Sequence, residues 1–226
     1  MMKTILQLIH LNKRINYTIL ALSVYCFGLL IVRAKATQSV YLFFLIWNLV
    51  LAVIPYLISS FATLHFSKFK NWHMGIIVLM WITFLPNSFY IITDLVHVVK
   101  SSGNLFYYDL ILISSFAITG FFLGLSSLIQ IEQVVEKLNF KPRTIHYSLL
   151  LICLLNGFGI YIGRVLRFNS WDIISNPIDL FSTLCSELLT KETILFSLHF
   201  GMFIYLILLL YKNTISNSLK NDTRTI

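Results

Sequence analysis

The chain has 226 residues, of which 58% are hydrophobic and only 12% are charged, and its mean hydropathy is +0.82. Because soluble domains carry about 25% charged residues, this composition excludes a water-soluble domain and indicates an integral membrane protein. The formal net charge of +8 comes without a basic cluster interleaved with exposed aromatics, which argues against a nucleic-acid partner.

Six apolar segments follow one another along the chain, each close to the ~20 residues that a helix needs to cross the hydrocarbon core. Since backbone groups cannot stay unpaired in lipid, each segment is predicted to form a transmembrane helix. We therefore expect an all-α integral membrane bundle of six helices in a single domain over residues 1–226. The predicted bounds are about 15–32, 40–61, 73–92, 109–131, 145–163 and 193–211.

The basic residues are unevenly distributed among the predicted loops. If the N-terminus lies in the cytoplasm, most Lys and Arg residues fall on the cytoplasmic side, and most Asp and Glu residues fall on the other. This is the distribution that the positive-inside rule describes. We predict that both termini are cytoplasmic.

The first segment ends at residue 32, and Arg33 follows it directly before the sequence Ala34-Lys35-Ala36. Small residues in this spacing are typical of a signal-peptide cleavage site. The apolar run before them is longer than that of a usual signal peptide, and Arg33 adjoins it. We therefore expect an uncleaved membrane anchor.

Polar side chains accumulate where the third segment ends. Pro86 lacks a backbone N–H and so interrupts a helix or begins a new one. After it, Asn87, Tyr90, Asp94 and His97 follow a 3-4-3 spacing, which places them on one face of an α-helix. A membrane-spanning helix does not ordinarily carry such a row, so a site is predicted here. In an enzyme, Asp94 would be a base or metal ligand, His97 an acid or base, and Asn87 and Tyr90 substrate-binding residues.

Further candidates lie at the start of the fourth segment and the end of the fifth. Asp109 begins the fourth segment, on the side of the membrane where the third one ends, and is a substrate-binding candidate. Arg164 and Arg167 are three residues apart, which in a helix places them on one face. They would either snorkel and pair with an aspartate or bind an anionic group. A polar turn follows, from which Asn169 and Trp171 are substrate-binding candidates and Asp172 is a catalytic candidate.

The loop over residues 164–192 is also predicted to contain a short amphipathic helix. Asn176 and Pro177 suit the N-cap and first position of a helix. Beyond them, Ile178, Phe181 and later leucines recur at helical spacing. We expect this helix to lie on the outer surface of the membrane.

His199 lies inside the sixth segment, where a histidine is either a functional group or bonded to a neighbouring carbonyl. Asp94, His97 and His199 are therefore candidate ligands for a divalent metal, although their spacing matches no zinc or iron motif. No GxSxG, HExxH or Walker loop is present. Two GxxxG patterns, Gly120 with Gly124 and Gly159 with Gly163, predict close helix packing.

The two polar stretches resemble the signature of an uncharacterised family of bacterial multi-pass membrane proteins, catalogued as domain of unknown function 1361. Where that family has tryptophan after Arg167, this chain has Phe168. The resemblance covers most of the chain and implies a helical bundle in the bacterial cytoplasmic membrane, without an established activity. It rests on Phe84-Leu85-Pro86-Asn87, Tyr90, Thr93-Asp94-Leu95, His97, Tyr108-Asp109, Gly163-Arg164, Arg167 and Asn169-Ser170-Trp171-Asp172.

Three functions remain open. The first is an envelope enzyme acting on a lipid-linked or anionic substrate at a polar site on the extracytoplasmic face. The second is a scaffold or accessory subunit in which the polar residues form a structural network. The third is a small transporter. A transporter needs a polar path through the membrane, and the inner halves of the segments offer few polar residues: Thr83, Ser115, Thr119 and Asn156.

Overall fold

The computed structural model describes residues 13–69, 71–100, 105–168, 172–188 and 190–222. Within these ranges the chain forms helices and no strand. The α-helices are α1 (Lys13–Thr37), α2 (Phe44–His65), α3 (Asn71–Phe84), α4 (Pro86–Tyr90), α5 (Phe106–Glu136), α6 (Pro142–Arg164), α7 (Asp172–Ser175), α8 (Pro177–Glu187) and α9 (Lys191–Asp222). Three 3-10 helices cover Tyr41–Phe43, Phe66–Lys68 and Ile91–Lys100, the last of which we call the 3-10 segment.

Six helical stretches of the described chain are long and apolar enough to cross a membrane, which confirms the predicted all-α membrane fold. They are Ile15–Thr37, Tyr41–His65, Trp72–Val99, Phe106–Glu136, Pro142–Arg164 and Lys191–Thr214. The third stretch runs seven residues beyond its predicted end at residue 92. Its polar side chains include Asp94, which is fully buried within the protein rather than left in water. The cytoplasmic location of both termini stays a prediction.

The chain divides into two compact units, unit 1 over Met1–Val134 and unit 2 over Val135–Ile226. In unit 1, α5 is the most buried of the spanning helices. Apolar side chains from α1, α2, the 3-10 segment and α5 form one cluster, which includes Leu30, Leu45, Ile91, Leu112 and Phe116. In lipid such a cluster gains little from the hydrophobic effect, so close packing and polar contacts hold the helices together. The single domain over 1–226 stays a prediction.

The third spanning stretch changes its winding at Pro86. α3 ends at Phe84, α4 continues for one turn, and the chain then follows a 3-10 helix for 10 residues. Runs of 3-10 helix longer than three or four residues are uncommon, because their hydrogen bonds are poorly aligned. This stretch therefore needs support from its surroundings.

Two glycines of α5 provide that support. A Cβ on Gly120 would lie 2.7 Å from Cδ1 of Ile91, and a Cβ on Gly124 would lie 2.6 Å from Cζ of Phe89. The end of the third stretch thus rests directly on the backbone of α5. The predicted packing role of Gly120 and Gly124 is confirmed.

A buried polar network joins α2, α3 and α5 in unit 1. The indole N–H of Trp81 donates to Oγ of Ser127 at 2.6 Å, and that hydroxyl donates to the carbonyl of Pro55 at 3.0 Å. Farther along α5, Oε1 of Gln130 accepts hydrogen bonds from the hydroxyls of Ser59 and Ser60. These serine and glutamine side chains lie within otherwise apolar helices and were not among the polar residues that the sequence analysis named there.

We expect Ser127→Ala to lower the free energy of unfolding by about 1–3 kcal/mol, the usual cost of a buried donor without an acceptor. The donor concerned is the indole N–H of Trp81, whose side chain is fully buried. Thermal unfolding of the detergent-solubilised protein, followed by tryptophan fluorescence, measures the loss. Ser115→Ala is the matched control, because that hydroxyl bonds to Ile111 of its own helix. Equal stability of the two variants would contradict the prediction.

In unit 2, α6 and α9 pack at very short range. A Cβ on Gly201 would lie 2.6 Å from Cα of Leu154, and a Cβ on Gly157 would collide with the carbonyl oxygen of Ser197. The close approach therefore lies at Gly157, which the predicted pattern of Gly159 and Gly163 did not single out.

The helix predicted in the 164–192 loop is present as α8. Pro177 occupies its first turn, but the side chain of Asn176 donates to Oδ2 of Asp179 at 2.8 Å and caps no backbone N–H. Ile178 and Phe181 are 80% and 69% exposed. Such an apolar surface is what a helix at a membrane interface requires, and its place on that surface stays a prediction.

Candidate functional site

Polar side chains gather at one end of unit 1, where α1 and the 3-10 segment end and where α2 and α5 begin. Three side-chain contacts join these helices in pairs: Arg33 of α1 binds Asp109 of α5, Tyr41 at the start of the second spanning stretch contacts His97 of the 3-10 segment, and Asn48 of α2 binds Asp94. We call this group the polar cluster. Its members are Arg33, Tyr41, Asn48, Asp94, His97 and Asp109.

The ion pair of Arg33 and Asp109 is buried and bidentate. Nε of Arg33 donates to Oδ1 of Asp109 at 2.9 Å, and Nη2 donates to Oδ2 at 3.1 Å. The two residues are only 9% and 1% exposed. Parallel charge-assisted bonds of this kind are strong and fix the plane of the guanidinium group. The pair therefore holds α1 and α5 in a defined register.

Asp94 is fully buried and accepts a hydrogen bond from Nδ2 of Asn48 at 2.7 Å. Asn48 lies seven residues after Tyr41, or about 10 Å farther along the helix at 1.5 Å per residue. The carboxyl group thus lies deeper than the start of α2. A substrate group can reach it only by entering the protein.

His97 lies three residues after Asp94, nearer the end of the 3-10 segment. Its Nδ1 is 3.1 Å from the hydroxyl of Tyr41, and its ring centre is 5.0 Å from that of Phe44. His97 is half-buried and Tyr41 is exposed. Either group can be the donor in this contact, which joins the 3-10 segment to the second spanning stretch.

The 3-10 winding changes which of the predicted residues share a face. Its period of three residues aligns Asp94 with His97, whereas the predicted α-helical face also held Asn87 and Tyr90. These two lie on α4 instead, before the winding changes. Nδ2 of Asn87 donates to the carbonyl of Phe84 at 3.0 Å, which satisfies an acceptor at the end of α3.

Unit 2 holds the remaining candidates. α6 ends at Arg164, and Arg167 follows in the left-handed conformation at φ 63. The helical spacing that would place both on one face therefore does not apply, because the helix has ended between them. Asp172 begins α7, and its Oδ1 accepts a hydrogen bond from Ser175 at 3.0 Å. The grouping of these residues with Asp94 and His97 stays a prediction, and Asn169 and Trp171 lie outside the described residues.

His199 of α9 is exposed, and its Nδ1 is 2.6 Å from the carbonyl oxygen of Leu195. Because a carbonyl only accepts, Nδ1 carries the proton in this contact. This is the bonding to a neighbouring carbonyl that the sequence left open. Among the described residues, no three His, Cys, Asp or Glu side chains converge as metal ligands do.

Sequence reasoning missed Arg33, Tyr41 and Asn48 as members of the site. Arg33 was treated as the boundary of an anchor, although a charge so close to an apolar run is unusual. Asn48 offered a similar signal, since it is a lone amide within the second apolar segment. Tyr41 offered none, because tyrosine is common at membrane interfaces.

A family model described as "Protein of unknown function (DUF1361)" matches residues 47–207. No curated protein matches the chain significantly. No solved structure does so either. The matched range contains Asn48, Asp94, His97 and Asp109 of the polar cluster, while Arg33 and Tyr41 precede it.

Proposed function

This chain belongs to the DUF1361 family of proteins of unknown function, and we propose that it is a membrane enzyme acting on a lipid-linked or anionic substrate. The polar cluster of unit 1 is its reaction site. We further propose that the membrane is the bacterial cytoplasmic membrane, with both termini in the cytoplasm. The distribution of Lys and Arg supports this orientation, in which the polar cluster lies at the extracytoplasmic face.

One arrangement supports an enzyme above all: a half-buried histidine bonded to a phenol, one 3-10 turn from a buried carboxyl group. Proton transfer requires a group that titrates near neutral pH and that the substrate can reach. His97 is half-buried rather than enclosed, and an imidazole is the side chain that most often serves this purpose, so His97 takes the role of acid or base. Asp94, which is fully buried, supports the site from within and takes a direct role as base only with a substrate group that enters the protein.

Arg164 and Arg167 in unit 2 stay predicted residues for binding an anionic group, independently of the reaction site proposed in unit 1. Asn169 and Trp171 stay predicted substrate-binding residues. Asp172 remains a catalytic candidate. Guanidinium groups suit phosphate and carboxylate because their donors form a planar fork.

We expect His97→Gln to slow substrate conversion by about 100-fold or more, which is the usual contribution of a general acid or base. Wild-type protein reconstituted with a polar lipid extract of bacterial membranes should convert one lipid species, detected by mass spectrometry of the lipids over time. His65→Gln is the matched control, because His65 lies at the far end of α2. The proposal fails if the wild type converts nothing, or if His97→Gln is as fast as the wild type.

A structural network is the second candidate, and one observation favours it. Both carboxylates of the polar cluster already have protein partners, Arg33 for Asp109 and Asn48 for Asp94. In a scaffold, Asp94→Asn would lower stability or the recovery of a partner protein, and no lipid would be converted by the wild type. The same reconstitution experiment therefore separates the two candidates.

A further inference from the structure

We propose that Arg33 binds a phosphate group through Nη1, and that Asp109 is the positioning residue that aims this nitrogen. The inference rests on the proposed function, because it specifies phosphate as the anionic group that binds at the polar cluster. Binding can be measured without turnover, so the two proposals can fail separately. Nothing in the sequence pointed to Arg33 as a ligand-binding residue.

The guanidinium group of Arg33 donates hydrogen bonds from two of its three nitrogens, and the third has no acceptor among the residues that the structure describes. Nε and Nη2 donate to the two oxygens of Asp109. Within the described part of the chain, Nη1 is buried and has no hydrogen-bond partner. A buried charged donor without an acceptor is costly. An acceptor oxygen that enters the protein beside Nη1 would remove that cost, because the atom itself is not exposed.

Arg33 is also held in place, as a binding residue must be. One turn earlier in α1, the carbonyl of Leu29 accepts a hydrogen bond from the hydroxyl of Tyr108 at 2.7 Å. Deeper still, Sγ of Cys26 is 3.6 Å from Oγ1 of Thr119. Together with the ion pair, these contacts fix α1 against α5 at three levels. These contacts therefore limit how far Arg33 can move relative to α5.

The depth of Arg33 favours phosphate as the acceptor. It lies four residues before the end of α1 at Thr37, or about 6 Å from that end along the axis, which is near the level of lipid headgroups. Ile31 and Val32 beside it are 55% and 57% exposed, so lipid adjoins this turn of the helix. A phosphate oxygen is the anionic acceptor present at that level, and arginine binds it well.

The test measures binding of three probes to the full-length protein in a neutral detergent by native mass spectrometry. The probes are inorganic phosphate, short-chain phosphatidic acid, and the matching diacylglycerol, which lacks phosphate. We expect the wild type to bind phosphatidic acid and to ignore diacylglycerol. Arg33→Lys, which keeps the charge opposite Asp109 but loses the fork, should weaken phosphatidic acid binding by about 10-fold or more.

Inorganic phosphate identifies the source of the ligand. If it binds and competes with phosphatidic acid, the site takes phosphate from either source. If only phosphatidic acid binds, the phosphate is that of a lipid, and both results support the inference. Absence of binding to either probe by the wild type overturns it, as does unchanged binding by Arg33→Lys.

Lys35→Gln is the matched control, because Lys35 is an exposed cation two residues farther along α1. It should change binding less than about 2-fold, since exposed charges act weakly. A loss equal to that of Arg33→Lys would show that any nearby positive charge has the same effect, and would overturn the inference.

The double variant with Arg33→Gln and Asp109→Asn guards against misfolding, because it removes both charges together. The folded double variant should lose binding, and retained binding overturns the inference.

Discussion

Replacing Gly157 with alanine is expected to push α6 and α9 apart and to lower the free energy of unfolding by about 1–3 kcal/mol, the usual cost of overpacking. The added Cβ would collide with the carbonyl oxygen of Ser197 and lie 2.9 Å from the backbone nitrogen of Gly201. Backbone atoms cannot rotate away as a side chain can. In lipid, small residues at such contacts are what allows two helices to approach.

Thermal unfolding in detergent measures this loss, with Gly75→Ala as the matched control. A Cβ on Gly75 would meet nothing within 4 Å, so that variant should be unchanged or gain up to about 1 kcal/mol of helix propensity. Gly201→Ala should behave like Gly157→Ala, and the double variant should lose less than the sum, because both break the same contact. If Gly157→Ala unfolded at the same temperature as Gly75→Ala, that result would contradict the packing described.

Removing either partner of the buried ion pair is expected to have the largest effect on stability. Asp109→Leu leaves the guanidinium group of Arg33 buried without its counter-charge, and Arg33→Met leaves the carboxylate in the same state. Each should cost about 3–5 kcal/mol, whereas the double variant should recover most of the loss. Unfolding midpoints of the wild type, the two single variants and the double variant measure the coupling directly.

Lys35→Met and Asp179→Leu are the controls for this cycle, because both charges are exposed. They should each change stability by less than about 0.5 kcal/mol. A double variant as unstable as the two losses added together would show that the charges do not compensate each other. A double variant as stable as the wild type would show that the ion pair adds no net stability. The reason for Arg33 in the natural chain would then be ligand binding.

The spanning helices could be predicted from the sequence because lipid imposes a strong rule: every backbone group must be paired within its segment. The end of the third helix was missed for the opposite reason. Hydropathy assigns Thr93 and Asp94 to water, whereas Asn48 and the rest of unit 1 surround Asp94. A one-dimensional pattern cannot supply a partner that lies 46 residues away.

Part of the candidate site could be predicted for a similar reason. Asp94, His97 and Asp109 stand out because charge and imidazole are rare beside apolar runs. Arg33 is equally rare, but its position beside small residues suggested a boundary, and its partner lies 76 residues away. The change from α to 3-10 winding was also hidden, since the contact of Ile91 with Gly120 joins two different helices.

The 3-10 segment is longer and narrower than an α-helix of the same residues would be. At about 2.0 Å per residue its 10 residues extend about 20 Å, against about 15 Å for the same residues in an α-helix. Rewinding would draw His97 inward by several ångströms and swing it by about 60° relative to Asp94, since each residue would turn about 100° instead of 120°. The position of the His97 imidazole along the helix axis and its angle relative to the Asp94 carboxyl group therefore change together, because the winding of this segment determines both.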